Sequence, residues 1–383
     1  MRRETHGELS ERIFALIDGK TTDLAPEVYL NPVEGYTSPE KLGQEMRTLF
    51  RQYPLLMGMS CRIPEPGDYF TDDNTGVPMV VIRGDDGKVN AFVNVCTHRG
   101  ARVLEGEGKA GRLISCPYHA WAFDRAGCLV KVPDAESFAG VDLETCGLTV
   151  LPCEERDGLI WVLPTPGGVI ELDKDLNGLA DELSSYGYDT YHHYETRTIR
   201  QKINWKGIMD TFLEPYHFAA LHRDTVAPIF FANMCLFDGF GPHLREVFPR
   251  KTIEKMRDQP KSEWDAVTYS AIVYVLFPNT AFVMQADHVE IWRIFPVPGK
   301  PDESVTHLEF YIPEPVTSES ARRHWDNNMD LVIRTVQEED FPTGEGIQSG
   351  YHSGARSHVI YGRNEPALMH FERSVSEALD TAG

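Results

Sequence analysis

The sequence predicts an α+β protein in which a small all-β module is set inside a larger domain of helices and strands. The first fifty residues carry helical patterns, whereas residues 54–163 consist of short strand-like runs separated by turns. Strand patterns return before residue 204 and dominate residues 268–312, and an amphipathic helical pattern follows them. A block of strands enclosed by helical segments is typical of α+β folds rather than of alternating α/β folds.

The N-terminal helical part, predicted for residues 1–53, ends in a segment with clear helix signals. Ser38 is a suitable N-cap, and Pro39 occupies the first helical position after it. Apolar side chains then fall on one helical face, namely Leu42, Met46, Leu49 and Phe50. We therefore expect an amphipathic helix immediately before the all-β module.

The all-β module is predicted for residues 54–163. Two hairpins are expected to turn at Gly84–Gly87 and at Asp124–Gly127, where Asp and Gly separate strand-like runs. The apolar run 158–163 is predicted to be a closing buried strand. The Pro- and Gly-rich stretch 164–178 is predicted to be a linker.

The remainder of the larger domain is predicted for residues 179–383. An alternating strand pattern runs into a helix predicted over 204–222. The strands that follow are expected to break at Pro278-Asn279 and at Pro298-Gly299. A last amphipathic helix, over about 318–340, carries its apolar residues at helical spacing: Trp325, Met329, Val332, Ile333 and Val336.

Charge and cysteine content limit the classes of partner. The formal net charge of −21 argues against nucleic acid and anionic membrane surfaces, because both favour basic proteins. No apolar run approaches the ~20 residues that span a bilayer. The N-terminal arginines precede no apolar stretch, so we expect no signal peptide and a cytoplasmic location. Seven cysteines, an odd number, favour metal ligation or burial over a disulfide framework.

Two short motifs, Cys96-x-His98 and Cys116-x2-His119, form the first candidate metal site. Each joins one Cys and one His beside a turn that contains Gly or Pro, which is a strong metal signal. Structural zinc is one interpretation, because Cys2His2 sets also bind zinc. The division into two Cys–His pairs favours a Rieske [2Fe–2S] centre, in which two thiolates hold one iron and two imidazoles hold the other.

The stretch EPYHFAALH, residues 214–222, carries the second candidate site. On an ideal helix Glu214 and His217 share a face, whereas His217 and His222 lie about 140° apart. Both histidines can bind one ion only if the helix bends or ends between them, and Pro215 favours such a distortion. Two histidines with one carboxylate and open positions are typical of non-haem Fe(II) oxygenases.

The carboxylate that completes this set is predicted to be Asp340, with Glu339 as the second choice and Glu214 as the local candidate. On a helix projected at about 100° per residue, Asp340 continues the apolar stripe. Glu339 lies on the opposite margin of the stripe, and Glu338 points away. An acid that continues an apolar stripe needs a partner, which a metal would supply. A frayed acidic helix end is the alternative interpretation.

With both clusters present, the chain resembles the oxygenase α subunits of the Rieske non-haem iron (ring-hydroxylating) oxygenases, over nearly its whole length. The resemblance implies a Rieske domain inserted in a catalytic domain of helix-grip type, which is an antiparallel sheet with helices. It also implies a head-to-tail homotrimer. The implied cluster ligands are Cys96, His98, Cys116 and His119, and the implied ligands of a mononuclear Fe(II) are His217, His222 and Asp340.

The resemblance implies roles for three further residues. Glu214 occupies the position of a carboxylate that bridges His119 of one subunit and His217 of the next, coupling electron transfer between them. Asn204 falls where the family has an asparagine close to the iron. Asp210 falls where the family often has an acid that supports the iron ligands without binding the iron itself.

Two positions depart from the family pattern. Most relatives have Gly where this chain has Ala120, immediately before the Trp of the second half-site. The bridging carboxylate is usually Asp, whereas this chain has Glu214. Glu at this place resembles the branch that acts on quaternary ammonium compounds such as carnitine.

The resemblance implies a terminal oxygenase that uses O2 and electrons from NAD(P)H, delivered by a reductase with or without a ferredoxin. It would hydroxylate, cis-dihydroxylate or oxidatively demethylate a small organic substrate. An aromatic substrate is the first expectation, and a quaternary ammonium compound is the alternative. A non-enzymatic Rieske electron carrier, or a zinc-stabilised binding protein, is the rival interpretation. Candidate pocket residues are Met209, Phe212, Phe218 and Leu221, although for any one of them core packing is the favoured interpretation.

Overall fold

Residues 1–381 are described by a computed structural model, and residues 382–383 of the predicted domain 179–383 lie outside the described part. The chain divides into two compact units. One unit is Met46–Glu171, and the other combines Met1–Glu45 with the chain from Leu172 onward. The β-rich unit therefore interrupts the larger unit in sequence. The predicted α+β fold class is confirmed.

Helices occur mainly in the larger unit. In chain order they are α1 (Arg3–Gly19), α2 (Glu34–Thr37), α3 (Pro39–Gln52), α4 (Leu172–Asp175), α5 (Ala180–Ser184), α6 (Trp205–Asp210), α7 (Glu319–Thr335), α8 (Phe341–His352) and α9 (Pro366–Thr381). Within residues 1–381, none of these helices has the length and apolar character needed to cross a membrane. The Ser38 side chain accepts the Lys41 N–H at the start of α3, so the predicted N-cap is confirmed.

Strands form both the inserted unit and the main sheet of the larger unit. In chain order they are β1 (Tyr29–Pro32), β2 (Leu55–Met59), β3 (Asp68–Asp72), β4 (Met79–Arg83), β5 (Val89–Val93), β6 (Glu107–Lys109), β7 (Ile114–Ser115), β8 (Ala122–Phe123), β9 (Leu129–Lys131), β10 (Val150–Leu151), β11 (Cys153–Arg156), β12 (Leu159–Val162), β13 (His192–Gln201), β14 (Leu236–Phe240), β15 (His243–Pro249), β16 (Ser270–Leu276), β17 (Thr280–Met284), β18 (Val289–Val297), β19 (Lys300–Ile312) and β20 (His358–Tyr361).

The inserted unit consists of three small antiparallel sheets. Their strand orders are β10-β5-β4-β3-β6, β11-β12-β2 and β7-β8-β9. Both predicted hairpins are confirmed, because β4 pairs with β5 and β8 pairs with β9. Gly127 ends the second turn with φ of 82°, and a Cβ there would lie 2.5 Å from the Phe92 ring. This turn therefore needs glycine for both its backbone angle and its close packing.

The larger unit is built on a seven-stranded antiparallel sheet with the order β13-β19-β18-β17-β16-β15-β14. Strands β16 to β19 break at Pro278 and Pro298 as predicted. Strands β14 and β15 were not predicted, because their sequence lacks a clear alternation of apolar and polar residues. The predicted strand before residue 204 is confirmed as β13, which pairs with β19.

The helix predicted over 204–222 is wrong. Helix α6 covers only Trp205–Asp210, and a separate 3₁₀ turn covers Tyr216–Ala219. Pro215 lies between them and cannot donate the backbone hydrogen bond that a continuous helix requires. The Glu214 side chain accepts the backbone N–H of His217 at 3.0 Å and so starts the new turn. The interruption that two histidine ligands require is therefore built into the chain.

The last predicted helix was placed correctly at its start but ended too early. Helix α7 passes through a π-helical turn, Val336–Asp340, directly into α8, so the helical segment ends at His352. Pro342 follows the π-helical turn at the start of α8. Proline cannot donate to the preceding turn, and a widened turn accommodates this loss. The π-helical turn changes which acids face inward, with consequences for the metal centre.

Candidate metal centres

The two Cys–His motifs lie on a pair of loops with the same backbone hydrogen bonds. In each loop the cysteine N–H donates to the carbonyl five residues later, at 2.7 Å for Cys96 and 2.8 Å for Cys116. The residue four positions later donates back to the cysteine carbonyl, at 2.9 and 3.0 Å. Both cysteines are buried and free. The thiols are close enough to hydrogen-bond, so equivalent loops bring the two sulfur donors together.

The two histidines of these motifs also lie together. The ring centroids of His98 and His119 are 4.7 Å apart, and His98 stacks on Trp121 with centroids 4.8 Å apart. Within the described residues, His98 Nδ1 is buried without a hydrogen-bond partner. A buried ring nitrogen without a partner is costly, and a metal ion would supply the missing bond. The donor set therefore fits a metal cluster in both geometry and composition.

Ala120 occupies a backbone position that favours glycine. Its φ is 57°, in the left-handed region, and Gly100 has φ of 83° at the equivalent position of the other loop. A Cβ at this angle costs roughly 1–2 kcal/mol, because it approaches the neighbouring carbonyl oxygen. The departure from the family's usual glycine therefore has a physical cost.

Replacing Ala120 with glycine is expected to stabilise the inserted unit by roughly 0.5–1 kcal/mol, since relief of strain exceeds the added chain entropy of glycine. Gly100→Ala is the matched control and should destabilise by about 1 kcal/mol, because nothing lies within 4 Å of the added Cβ and only the backbone angle is unfavourable. Denaturant titration, followed by the visible absorption of the cluster, measures both effects. A destabilised Ala120→Gly variant would contradict this account.

The second donor set is formed by His217, His222 and Asp340. Their ligand atoms all lie within 4.8 Å of one another. Asp340 Oδ1 is 3.1 Å from His222 Nε2 and 3.8 Å from His217 Nε2. His222 and Asp340 are buried, and His217 is half-buried. Two imidazoles and one carboxylate that converge in this way fit a mononuclear iron with positions left for oxygen.

Each of these histidines is oriented by a second carboxylate. His217 Nδ1 lies 2.5 Å from Glu214 Oε1, and His222 Nδ1 is hydrogen-bonded to Glu339 Oε2. The Thr225 hydroxyl donates to the same Glu339 oxygen at 2.8 Å. A carboxylate that accepts from Nδ1 fixes the tautomer and leaves Nε2 available for a metal. Both Nε2 atoms accordingly face Asp340.

The position of Glu339 corrects the simple helical projection. That projection placed it on the opposite margin of the helix from Asp340, as an alternative ligand. The π-helical turn instead directs Glu339 to the far side of His222, while Asp340 reaches Nε2. Glu338 is exposed, as predicted. The geometry therefore favours Asp340 as the ligand and Glu339 as the residue that orients His222.

Asn204 and Asp210 differ in their surroundings. The Oδ1 of Asn204 caps α6 by accepting the Lys206 N–H at 2.9 Å, and its Nδ2 donates to the Pro301 carbonyl at 2.6 Å. Both ends of its amide are thus engaged by protein groups, and the place of Asn204 near the iron stays a prediction. Asp210 lies against a cavity together with His217 and remains a candidate.

The donor set lies between two cavities. Both cavities are lined by Thr211, Glu214, His217 and Asp340. The first, called here the aromatic cavity, has a volume of about 220 Å³ and is lined by Phe212, Phe218, Phe230, Phe248 and Trp292. The second, called here the tyrosine cavity, has a volume of about 200 Å³ and is lined by Tyr351, Tyr361, Asp210 and Gln348. The donors thus have open space on two sides.

The predicted pocket residues divide between these cavities. Phe212 and Phe218 line the aromatic cavity, and Leu221 lines the tyrosine cavity, whereas Met209 is buried in the core. Sequence reasoning missed Glu290, a buried acid in the wall of the aromatic cavity. The sequence did contain a signal for it. Glu290 and Trp292 are two residues apart in a predicted strand, so both side chains lie on the same face of the sheet.

Two donor sets of these kinds, in a β-rich unit and beside a helix-covered antiparallel sheet, define a class of iron-dependent oxygenases. A family model described as ring hydroxylating alpha subunit (catalytic domain) matches residues 188–381. A second, described as Rieske [2Fe-2S] domain, matches residues 55–151. The chain belongs to the Rieske non-haem iron oxygenase α subunits, a family that carries a Rieske cluster and a mononuclear iron.

Several relatives have printed names that refer to quaternary ammonium compounds. The carnitine monooxygenase oxygenase subunit of Escherichia coli (strain K12) is 32% identical over 201 residues, which cover 51% of this chain and 53% of that protein. The chain thus matches about half the length of that relative. The chloroplastic choline monooxygenase of Spinacia oleracea is 25% identical over 382 residues, with 96% and 82% covered.

A solved structure shows the same fold. The quaternary ammonium Rieske monooxygenase CntA, in complex with L-carnitine, superposes with a TM-score of 0.79 at 22% identity. The alignment covers 93% of this chain and 96% of that one. Both proteins therefore contain a β-rich unit and a helix-covered antiparallel sheet.

Proposed function

We propose that this protein is the terminal oxygenase of a Rieske system and that it oxidises a small quaternary ammonium compound. Cys96, His98, Cys116 and His119 would hold the cluster, and His217, His222 and Asp340 would hold the iron. When bound, the cluster supplies electrons and the Fe(II) supplies a site where O2 is activated. An aromatic substrate, the first expectation from the sequence, receives less support than this alternative.

The composition of the aromatic cavity is the main observation that supports a quaternary ammonium substrate. Five aromatic side chains surround a space that reaches the iron ligands, and Glu290 lies in the wall of the same space. A quaternary ammonium group cannot donate hydrogen bonds, so aromatic faces and a nearby carboxylate are the groups that recognise it. A neutral arene would require neither a buried acid nor the free energy that its burial costs.

Glu290 is held in place by three donors. Its carboxylate accepts Gln285 Nε2 at 3.1 Å and Trp292 Nε1 at 2.9 Å. His288 Nε2 lies 3.2 Å from the same group, and His288 Nδ1 lies 2.8 Å from Asp287. Burial lowers the pKa of His288, but hydrogen bonds to the two acids outweigh this effect and raise the pKa overall. The carboxylates of Glu290 and Asp287 thus both contact the His288 imidazole beside the aromatic cavity.

The other charged group at this end is Arg250. Its Nη2 donates to Gln285 Oε1 at 2.7 Å, and its guanidinium lies over the Phe230 ring, 4.8 Å from the centroid. Because Gln285 also donates to Glu290, the amide separates the cation of Arg250 from the carboxylate. Glu290 therefore remains the acid that faces the aromatic cavity.

We further propose that the protein works with a reductase as an electron donor and as a homotrimer. Glu214 already contacts His217 within the subunit, with both carboxylate oxygens engaged. A bridge to His119 of a neighbouring subunit would connect the two metal centres through hydrogen bonds. Glu has one more methylene than the family's usual Asp, and the longer side chain would set the spacing of that bridge.

A substrate screen tests this function. The purified protein, with NAD(P)H and a surrogate reductase, is supplied with carnitine, choline or glycine betaine, and in parallel with naphthalene. We expect O2 uptake with a matching amount of oxidised product for at least one ammonium compound, and none for the arene. The neutral isostere with carbon in place of nitrogen should react at least tenfold more slowly, because it lacks the charge. Hydroxylation of naphthalene without reaction of any ammonium compound would overturn the substrate assignment.

A further inference from the structure

A second group of acids, Asp210 and Glu372, lies on the tyrosine-cavity side of the iron ligands. The Tyr36 hydroxyl oxygen lies 2.8 Å from Asp210 Oδ2, 2.9 Å from Glu372 Oε1 and 2.5 Å from the Tyr361 hydroxyl. Asn31 Nδ2 donates to the Tyr36 oxygen at 3.1 Å. Two carboxyl groups therefore meet at one phenol oxygen, and both Tyr36 and Glu372 are buried.

The contacts of the Tyr36 oxygen favour a proton on one carboxyl group, since the other hydroxyl donor to Asp210 Oδ2, Tyr361, is farther away at 3.3 Å. The Tyr36 hydroxyl has one hydrogen to donate, and it cannot serve both Asp210 and Glu372. If both acids were ionised, one carboxylate would face the Tyr36 oxygen without a hydrogen between them. A carboxylic acid that donates to Tyr36 removes this conflict, so the two acids hold at least one proton between them.

The surroundings favour the same protonation. Burial raises the pKa of Asp210, and the charge of Glu372 raises it further. Burial also raises the pKa of Glu372. The nearest cation is Lys206, whose ammonium group is already bound to Glu45 and to the Gly35 carbonyl. Other titratable groups that interact with the two acids are Glu45 and tyrosines from β1, α2, α8 and β20, namely Tyr29, Tyr36, Tyr351 and Tyr361.

Asp210 connects this proton-holding group to the reaction site. Its Oδ2 accepts from Tyr36, whereas Oδ1 is buried and has no hydrogen-bond partner among residues 1–381. Asp210 lines the tyrosine cavity, which the iron ligands His217 and Asp340 also line. Asp210 therefore lines the same cavity as two of the iron ligands, and its Oδ1 is a buried acceptor without a donor in the described part of the chain.

We propose that Asp210 and Glu372 share a proton through Tyr36, and that Asp210 delivers protons across the tyrosine cavity to the oxygen site. The inference rests on the proposed oxygenase function. Monooxygenation consumes two protons and two electrons: R–H + O2 + 2 e⁻ + 2 H⁺ gives R–OH + H2O, with electrons from the reductase. When the shared proton lies on Glu372, Tyr36 passes its hydroxyl hydrogen to Asp210 and takes the hydrogen of Glu372 in its place. Asp210 is then the acid that releases the proton toward the cavity, which leaves both carboxylates ionised. Water from the solvent then restores the proton of the pair.

The charge state is tested first, without turnover. Infrared difference spectroscopy of the resting protein in H2O and D2O should show the C=O band of a buried carboxylic acid. Asp210→Asn and Glu372→Gln should each remove or shift this band, because the two acids hold one proton together. A wild-type protein without such a band overturns the shared proton, and this outcome does not depend on the substrate assignment.

The delivery of protons is tested by turnover with the substrate found in the screen. Asp210→Asn should keep its iron content and substrate affinity, yet lose about tenfold or more in product formed per O2, with release of hydrogen peroxide. Tyr36→Phe should leave Asp210 in place and increase the solvent isotope effect on turnover. Tyr194→Phe, which removes a Tyr–Asp hydrogen bond elsewhere in this unit, is the matched control and should match wild type. Wild-type coupling in Asp210→Asn, or a wild-type isotope effect in Tyr36→Phe, would overturn the proposal.

Discussion

Replacing Asp340 with alanine is expected to lower the iron content from about three to about two per chain and to abolish oxygenation. Asp340 Oδ1 lies between the Nε2 atoms of the two histidines, so its loss removes the anionic donor of the mononuclear site. The visible absorption of the Rieske cluster should remain, because its donors lie in the other compact unit. Metal analysis and absorption spectra of the same sample measure both results.

The two residues before Asp340 provide graded controls. Glu339→Gln weakens the carboxylate that orients His222, and we expect a 10- to 100-fold loss of iron affinity with iron restored at excess metal. Glu338→Gln alters an exposed side chain and should match wild type. If Glu339→Gln loses the iron entirely while Asp340→Ala retains it, then Glu339 is the ligand and the assignment is wrong.

Replacing Glu290 with glutamine is expected to reduce kcat/KM for the ammonium substrate by roughly 10- to 100-fold, mostly through KM. A charge-assisted contact contributes about 1.5–3 kcal/mol, and about 1.4 kcal/mol corresponds to tenfold. Gln has nearly the same shape as Glu but carries no charge, so the aromatic faces should still enclose the substrate. Steady-state kinetics with the ammonium substrate and with its neutral carbon isostere measure the effect.

The ratio of the two substrates provides an internal control for folding. Misfolding of Glu290→Gln would reduce the rate for both compounds equally, whereas loss of the counter-ion reduces only the rate for the cation. We therefore expect the preference for the charged substrate to fall toward unity. An unchanged preference, with wild-type KM for the ammonium compound, would remove Glu290 from substrate recognition and leave the aromatic side chains as the remaining determinants.

Local spacing explains the parts of the fold and site that were predictable. The hairpin turns and the N-cap at Ser38 depend on residues within a few positions of one another, and both were confirmed. The Cys–His half-sites are equally local, since each loop is closed by its own backbone hydrogen bonds. A motif whose contacts all join residues close together in the chain can therefore be recognised from the sequence.

The helix predictions failed where a side chain or a turn type overrode the regular period. Pro215 and the Glu214 side chain interrupt the helix predicted through His217, because proline cannot extend the hydrogen-bond ladder. The π-helical turn 336–340 changes the angle per residue just before Pro342. Projection at a constant angle therefore placed Asp340 inward, where its carboxylate lies with the two histidines, but misplaced Glu339 relative to His222.

The sequence by itself determined which donor types are present, their division into two sets and the family to which the chain belongs. Only the tertiary structure decided that Glu339 orients His222 and that Glu290 lines the aromatic cavity. The reason is physical: a ligand motif needs neighbours along the chain, whereas a cavity or a shared proton needs residues from distant strands and helices. Packing of the sheet and helices sets those distances, and no local pattern in the sequence encodes them.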